Sequence, residues 1–183
     1  MLYLIIIAAA NILIALSGWL WLDYPVFDAI LKPVSATVAV IAVDGIFAFL
    51  VRRLPLPEKW FSPGSKLSRV SKAERKFYRK TRVNNWAKKI PELGCFTGFR
   101  KDKLQTPTDK EYLKRFITEA NYGVAIHLSN ALFGALILLV PYVNSLASAL
   151  PVIAVNFILS MLPVFTLRHN LPPLISLYQR TKK

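Results

Sequence analysis

The sequence predicts an all-α membrane protein: four transmembrane helices paired as two antiparallel hairpins, with a basic amphipathic helix and a loop between the second and third spans. Hydrophobic residues make up 54% of the 183 residues and the mean hydropathy is +0.40, yet 24 Lys/Arg against 10 Asp/Glu leave a formal charge of +14. A single soluble domain spends its polar residues covering its core, so oil and charge in these amounts belong to different segments. The chain separates them in that way, alternating uncharged runs of bilayer length with basic connections. The single cysteine, Cys95, rules out an internal disulfide, and two histidines are too few for a Cys/His zinc cluster, so neither a metal nor a bound cofactor is expected.

Leu2 to Leu22 carry no charge and match the thickness of a bilayer core. A signal peptide would need a positive start and a shorter apolar run, so this segment reads as the first span. The second span, Pro33 to Val51, holds one acid, Asp44, and stops at Arg52-Arg53. The third runs from Tyr122 to Val143 and the fourth from Leu146 to Leu167, within one integral membrane domain of residues 1–183 whose insertion is 52–121. Of the 24 Lys/Arg, 19 lie between Arg52 and Arg115, four follow Leu167, and one is Lys32. The positive-inside rule then places both termini and the insertion on the cytoplasmic side of the cell's inner membrane.

Within the insertion, Leu54-Pro-Leu-Pro57 and Ser62-Pro-Gly-Ser65 read as linkers. Ser71-Lys-Ala-Glu74 is a capping box, and Val70, Ala73, Phe77, Asn84, Ala87 and Ile90 trace one helical stripe among Lys and Arg. The spacing predicts a basic helix flat on the anionic leaflet, with Trp60, Phe61, Phe77, Tyr78 and Trp86 as interfacial anchors. A second capping box, Thr108-Asp-Lys-Glu111, starts a helix that continues without a breaker into the third span. Basic charge beside aromatics can also mark a nucleic-acid site. Flanks of membrane spans are basic for orientation and lipid contact, so no nucleic-acid partner is expected.

Polar groups inside spans are costly, which singles out Asn11, Asp44, His127, Asn130 and Asn156. The asparagines read as interhelical hydrogen-bonding glue. His127 reads as a proton acceptor near the interface. Between the basic helix and the second capping box, residues 86–100 hold two glycines, a proline, an acid and three aromatics, which suits a shaped, site-building loop. Cys95 within it has no histidine nearby in sequence and is a weak candidate nucleophile.

In this loop Trp86-x-Lys88-x-x-Pro91-Glu92-x-Gly94, followed by Phe96-x-Gly98-Phe99 and Lys101, resembles the W-K-x-x-x-P-E-x-G and G-F-x-K stretch of the glycosyl-4,4'-diaponeurosporenoate acyltransferase family, small bacterial membrane proteins of staphyloxanthin-type carotenoid biosynthesis. Tyr112-Leu113, Arg115-Phe116, Glu119 and His127 are similar to that family's Y-L-x-R-F, E-T and H helix. Arg168-His169-Asn170-Leu171-Pro172 is similar to its R-Y-N-R-P end. The resemblance covers roughly residues 80 to 175 in order. Ala120 replaces a family Thr, Tyr122 and Val124 stand for Arg and Glu, and Leu171 replaces Arg. These departures bear on the acceptor more than on the chemistry.

The resemblance implies transfer of a fatty acyl group to a sugar hydroxyl of a membrane glycolipid, in that family a glucosylated carotenoid. The donor would be acyl-CoA or another thioester arriving from the cytoplasm. Such chemistry needs a base for the attacking hydroxyl and a group for the oxyanion. His127 is the expected base, with Asp44 or Glu92 to orient it. Glu119, eight positions before His127, rises about 12 Å away along the helix and is a poor direct partner, though it belongs to the same candidate catalytic set. Arg168 and Asn170, with Trp86, Lys88, Gly94, Gly98, Phe99 and Lys101, are the expected substrate-binding residues. The rival readings are a non-catalytic membrane scaffold for biosynthetic enzymes and a lipid carrier or flippase.

Overall fold

The computed structural model describes residues 2–90, 104–143 and 145–181. Among them all regular structure is helical: α1 (Leu2–Trp21), α2 (Val26–Arg53), α3 (Lys72–Lys80), α4 (Val83–Trp86), α5 (Lys110–Phe133) and α6 (Leu146–Arg180), with short 3₁₀ turns at Glu58–Trp60, Ala87–Lys89 and Gly134–Leu139. Four of these segments, Leu2–Trp21, Val26–Arg53, Lys110–Leu139 and Leu146–Arg180, are long and apolar enough to cross a membrane. By its internal packing the chain divides into two compact units, Met1–Leu50 with Leu128–Met161, and Val51–His127 with Leu162–Lys183.

In the first unit α1 buries only Ile14 and Gly18, while Leu4 and Leu13 are 66% and 67% exposed. An apolar helix this open would aggregate in water and is at home in lipid. Its buried side packs with Ala36 and Val40 of α2 and Ala149 and Val152 of α6. Asn11 and Thr37 exchange hydrogen bonds across α1 and α2 at 3.0 and 3.2 Å. Asn156 of α6 reaches Asp44 of α2 and the Asn130 carbonyl of α5, each at 3.3 Å. Asn11 and Asn156 thus make the interhelical bonds the asparagine pattern predicts, since an unpaired amide in hydrocarbon is costly, whereas Asn130 takes part through its backbone carbonyl and its buried Oδ1 has no hydrogen-bond partner among the described residues. Gly134 makes room for the last pair: a Cβ there would lie 2.6 Å from Asn156 Nδ2. The second apolar helix begins at Val26, seven residues before the predicted start, with Pro33 inside it and buried. Within the third apolar segment the α-helix ends at Phe133 and tightens to 3₁₀ geometry at Gly134.

In the second unit the Ser71 capping box forms as predicted: Ser71 Oγ accepts from Glu74 N, and the Glu74 carboxylate accepts from Ser71 N. The helix it starts stops at Lys80, because Arg82 takes a left-handed conformation (φ 51°), so the predicted stripe from Val70 to Ile90 is divided between α3, α4 and a 3₁₀ turn. At the start of α5 the second predicted capping box gives way to Asp109, whose Oδ1 accepts from Glu111 N and Tyr112 N. Aspartate is as good an N-cap as threonine and sits at the position the chain presents. Ile117 and Ala120 of α5 pack with Leu171 of α6. Asn121, fully buried, ties the 61–68 linker down: its Nδ2 donates to the Phe61 carbonyl and to Ser68 Oγ, both at 2.7 Å. The fourth long helix runs through Pro172-Pro173 to Arg180, well past the predicted end of its span.

Candidate functional site

The densest polar assembly among the described residues is in the second unit and is built on α3 and the later part of α6. Arg168 Nε and Nη2 hold the two carboxylate oxygens of Glu74, the second at 2.8 Å. Nη1 donates to the Leu67 carbonyl and Nη2 to the Arg69 carbonyl, each at 2.8 Å. Four of the five guanidinium N–H groups are thus engaged. The Tyr78 hydroxyl also donates to Glu74. The Arg168 hydrogen bond, more than any other influence, holds the Glu74 carboxyl below its ordinary range. Burial, with the carboxylate beside it, pushes the Tyr78 phenol up, so it stays a proton donor.

His169, one residue on, has its Nε2 2.7 Å from Asn84 Oδ1, and its ring meets the Tyr78 ring edge-on at 5.9 Å. With the Asn84 amide oxygen as acceptor, Nε2–H is the donor of this bond. In sequence Glu74 reads only as a cap and Tyr78 as an anchor, and neither His169 nor Asn84 is among the expected site residues. The sequence feature beside them is the motif Arg168-His169-Asn170.

A second cluster joins Arg52 at the end of α2 to α5. Its Nη1 and Nη2 donate to Glu119 Oε1 and Oε2 at 3.3 and 2.8 Å, and its guanidinium lies 5.3 Å from the centre of the Tyr122 ring. Tyr122 in turn stacks on Phe61 with centroids 3.8 Å apart. Glu119 is therefore a partner of Arg52. Phe61 and Tyr78, expected as membrane anchors, are each only 2% exposed and belong to the core. Trp60 and Phe77 remain open at 51% and 45%.

Of the other predicted site residues, His127 is half-buried on α5 in the second unit, and Asp44 is in the first, paired with Asn156. Trp86 is half-buried and donates from Nε1 to the Thr81 carbonyl, while Lys88 and Asn170 are exposed. Glu92, Gly94, Cys95, Gly98, Phe99 and Lys101 lie outside the described residues. Among the described residues no group of three His, Cys, Asp or Glu could hold a metal. The first unit has a cavity of about 40 Å³ with aliphatic walls and three polar residues, Asn11, Thr37 and Asn156.

A sequence profile of the glycosyl-4,4'-diaponeurosporenoate acyltransferases matches residues 57–180. The chain belongs to this family. No individual curated protein and no solved structure matches it. The family match takes in Glu74, Trp86, Glu119, His127, Arg168 and His169, while α1 and α2, with Asp44, precede it. As a glycosyl-4,4'-diaponeurosporenoate acyltransferase family member, the protein is an acyltransferase of carotenoid glycolipid biosynthesis with four helices long and apolar enough to cross a membrane.

Proposed function

We propose that the protein transfers a fatty acyl group from a cytoplasmic acyl thioester to a sugar hydroxyl of a membrane glycolipid, in the first instance a glycosylated carotenoid. The observation that carries this is the family match over residues 57–180, joined to four helices of membrane-crossing length. In this reading both termini and the Arg52–Asn121 insertion face the cytoplasm of the inner membrane, with the spans paired as two hairpins, so a water-soluble donor meets a lipid-borne acceptor at one face.

His127 is the proposed base. It takes the proton of the acceptor hydroxyl as the oxygen attacks the thioester carbonyl, and returns it to the thiolate when the carbon–sulfur bond breaks. Glu92, on the loop with Gly94, Gly98, Phe99 and Lys101, is proposed to orient the imidazole. Lys88 and Asn170, exposed, are available to the donor's phosphates. Arg168, with most of its donors on Glu74 and two carbonyls, supports the site by holding α3 against α6. Purified protein in nanodiscs, given acyl-CoA and a glucosylated carotenoid, is expected to form one ester, identified by the mass of the product. Bound carotenoid without any ester, across several acyl chain lengths, would favour a lipid carrier instead.

A further inference from the structure

Lys72, Arg75, Lys76, Arg79 and Lys80 are all exposed. Their spacing, i, i+3, i+4, i+7 and i+8, gathers them on one face of α3 about 140° wide and about 12 Å long. No acidic side chain among the described residues pairs with any of the five. The one acid on the helix, Glu74, points the other way, to Arg168, beside the buried Tyr78. Much of the apolar side that an interfacial helix would sink into lipid is thus used on α6, through the buried Tyr78 and one face of Phe77 against Phe165. What α3 offers outward is this cationic stripe, bordered by Ala73 and by the part of Phe77 that Phe165 leaves open.

We propose that this stripe is an electrostatic seat for anionic lipid headgroups, so that α3 holds to the bilayer surface by charge and not by insertion. Three features favour headgroups. Among the described residues the stripe is the outer side of a helix, a convex surface unlike the concave sites that enclose small polyanions. It is rich in Lys and holds no aromatic side chain, the reverse of a protein-docking core. And α3 docks on α6 between Phe165 and His169, where the uncharged run from Leu146 to Leu167, about 33 Å at helical rise, comes to its end. With that run spanning the hydrocarbon, as the proposed function has it, α3 lies at headgroup depth, where Lys and Arg gain most from an anionic leaflet.

The test needs no turnover, so its outcome is separate from that of the acyl-transfer reading. The full-length protein is placed in nanodiscs of equal phosphatidylglycerol and phosphatidylcholine, and lipids retained after mild extraction are counted by native mass spectrometry. Wild type is expected to retain phosphatidylglycerol several-fold over phosphatidylcholine at low salt, and to lose the preference near 1 M salt. A variant with all five residues changed to Gln keeps Glu74 and Tyr78 and hence the docking of α3. Each cation near an anionic surface contributes about a factor of five in affinity, so its retention is expected to fall toward the bulk ratio. Exchanging Lys for Arg and Arg for Lys at the same positions is expected to preserve the preference. Equal enrichment in wild type and the Gln variant overturns the proposal. So does wild type that binds a soluble acidic acyl-carrier protein through the stripe and shows no lipid preference.

Discussion

Arg168 and Glu74, ninety-four positions apart, form a two-pronged ion pair, and the same carboxylate closes the capping box of the helix that carries it. One side chain therefore does two jobs. It starts α3 by accepting from Ser71 N, and it fastens α3 to α6. Neither oxygen is idle, which is why the carboxyl stays ionised below its ordinary value of 4.5.

The first prediction is a pH dependence. A carboxyl whose folded pKa is lowered contributes stability that is complete above its unfolded value and is lost as pH falls through the folded one. Stability in detergent, followed by chemical denaturation, should thus decline below about pH 4.5 in wild type. Glu74→Gln should flatten that decline. At neutral pH Arg168→Ala should cost about 2 kcal/mol, because it strands a half-buried carboxylate. An acid limb of equal steepness in Glu74→Gln would show that other groups set it.

Asn121 concerns the linker. Its amide nitrogen faces two carbonyls and two serine hydroxyls, Phe61, Ser62, Ser65 and Ser68. Asn121→Asp has nearly the same shape but turns a donor into an acceptor among acceptors. It should destabilise by more than Asn121→Ala, for which about 2 to 3 kcal/mol is expected. Thermal unfolding of the two variants gives the order directly, and the opposite order would contradict the donor assignment.

Gly134 and Asn156 should behave as one unit. A methyl at 134 would displace the Asn156 amide, which is the mobile end of a side chain, and break its bonds to Asp44 and the Asn130 carbonyl. Gly134→Ala is expected to cost about 1 to 2 kcal/mol, and adding Asn156→Ala should cost little more, a non-additivity that a double-mutant cycle measures.

For the chemistry, His127→Ala is expected to lower kcat by about 10² to 10⁴, the range of a general base. His169→Ala serves as the comparison, since it removes the bond to Asn84 and leaves His127 in place. Near-normal turnover in His127→Ala would take that residue out of the mechanism.

Much of the architecture was legible in local features. Uncharged stretches of bilayer length became the helices that are long enough to cross a membrane, because hydropathy over such windows is nearly the whole energetic requirement for spanning. The Ser71 box was readable because a cap is a contact between residues three apart. Periodicity misled between Val70 and Ile90, since a repeating stripe does not register a single residue such as Arg82 leaving helical geometry. Exposure misled at Phe61 and Tyr78: an aromatic among charges looks like an anchor until a partner such as Tyr122 or Phe165 covers it.

By itself the sequence determined the all-helical class, the number of long apolar helices, the segregation of positive charge, and, through ordered motifs from Trp86 to Pro172, the family. These depend on composition within a window or on short spacing. Only the tertiary structure decided that Glu119 belongs to Arg52, that Glu74 belongs to Arg168, that Asn121 pins the linker, and which face of α3 is left outward. Each of those joins residues 53 or more positions apart. The energy of such a pair lies in distance and desolvation, and only the packed helices set those.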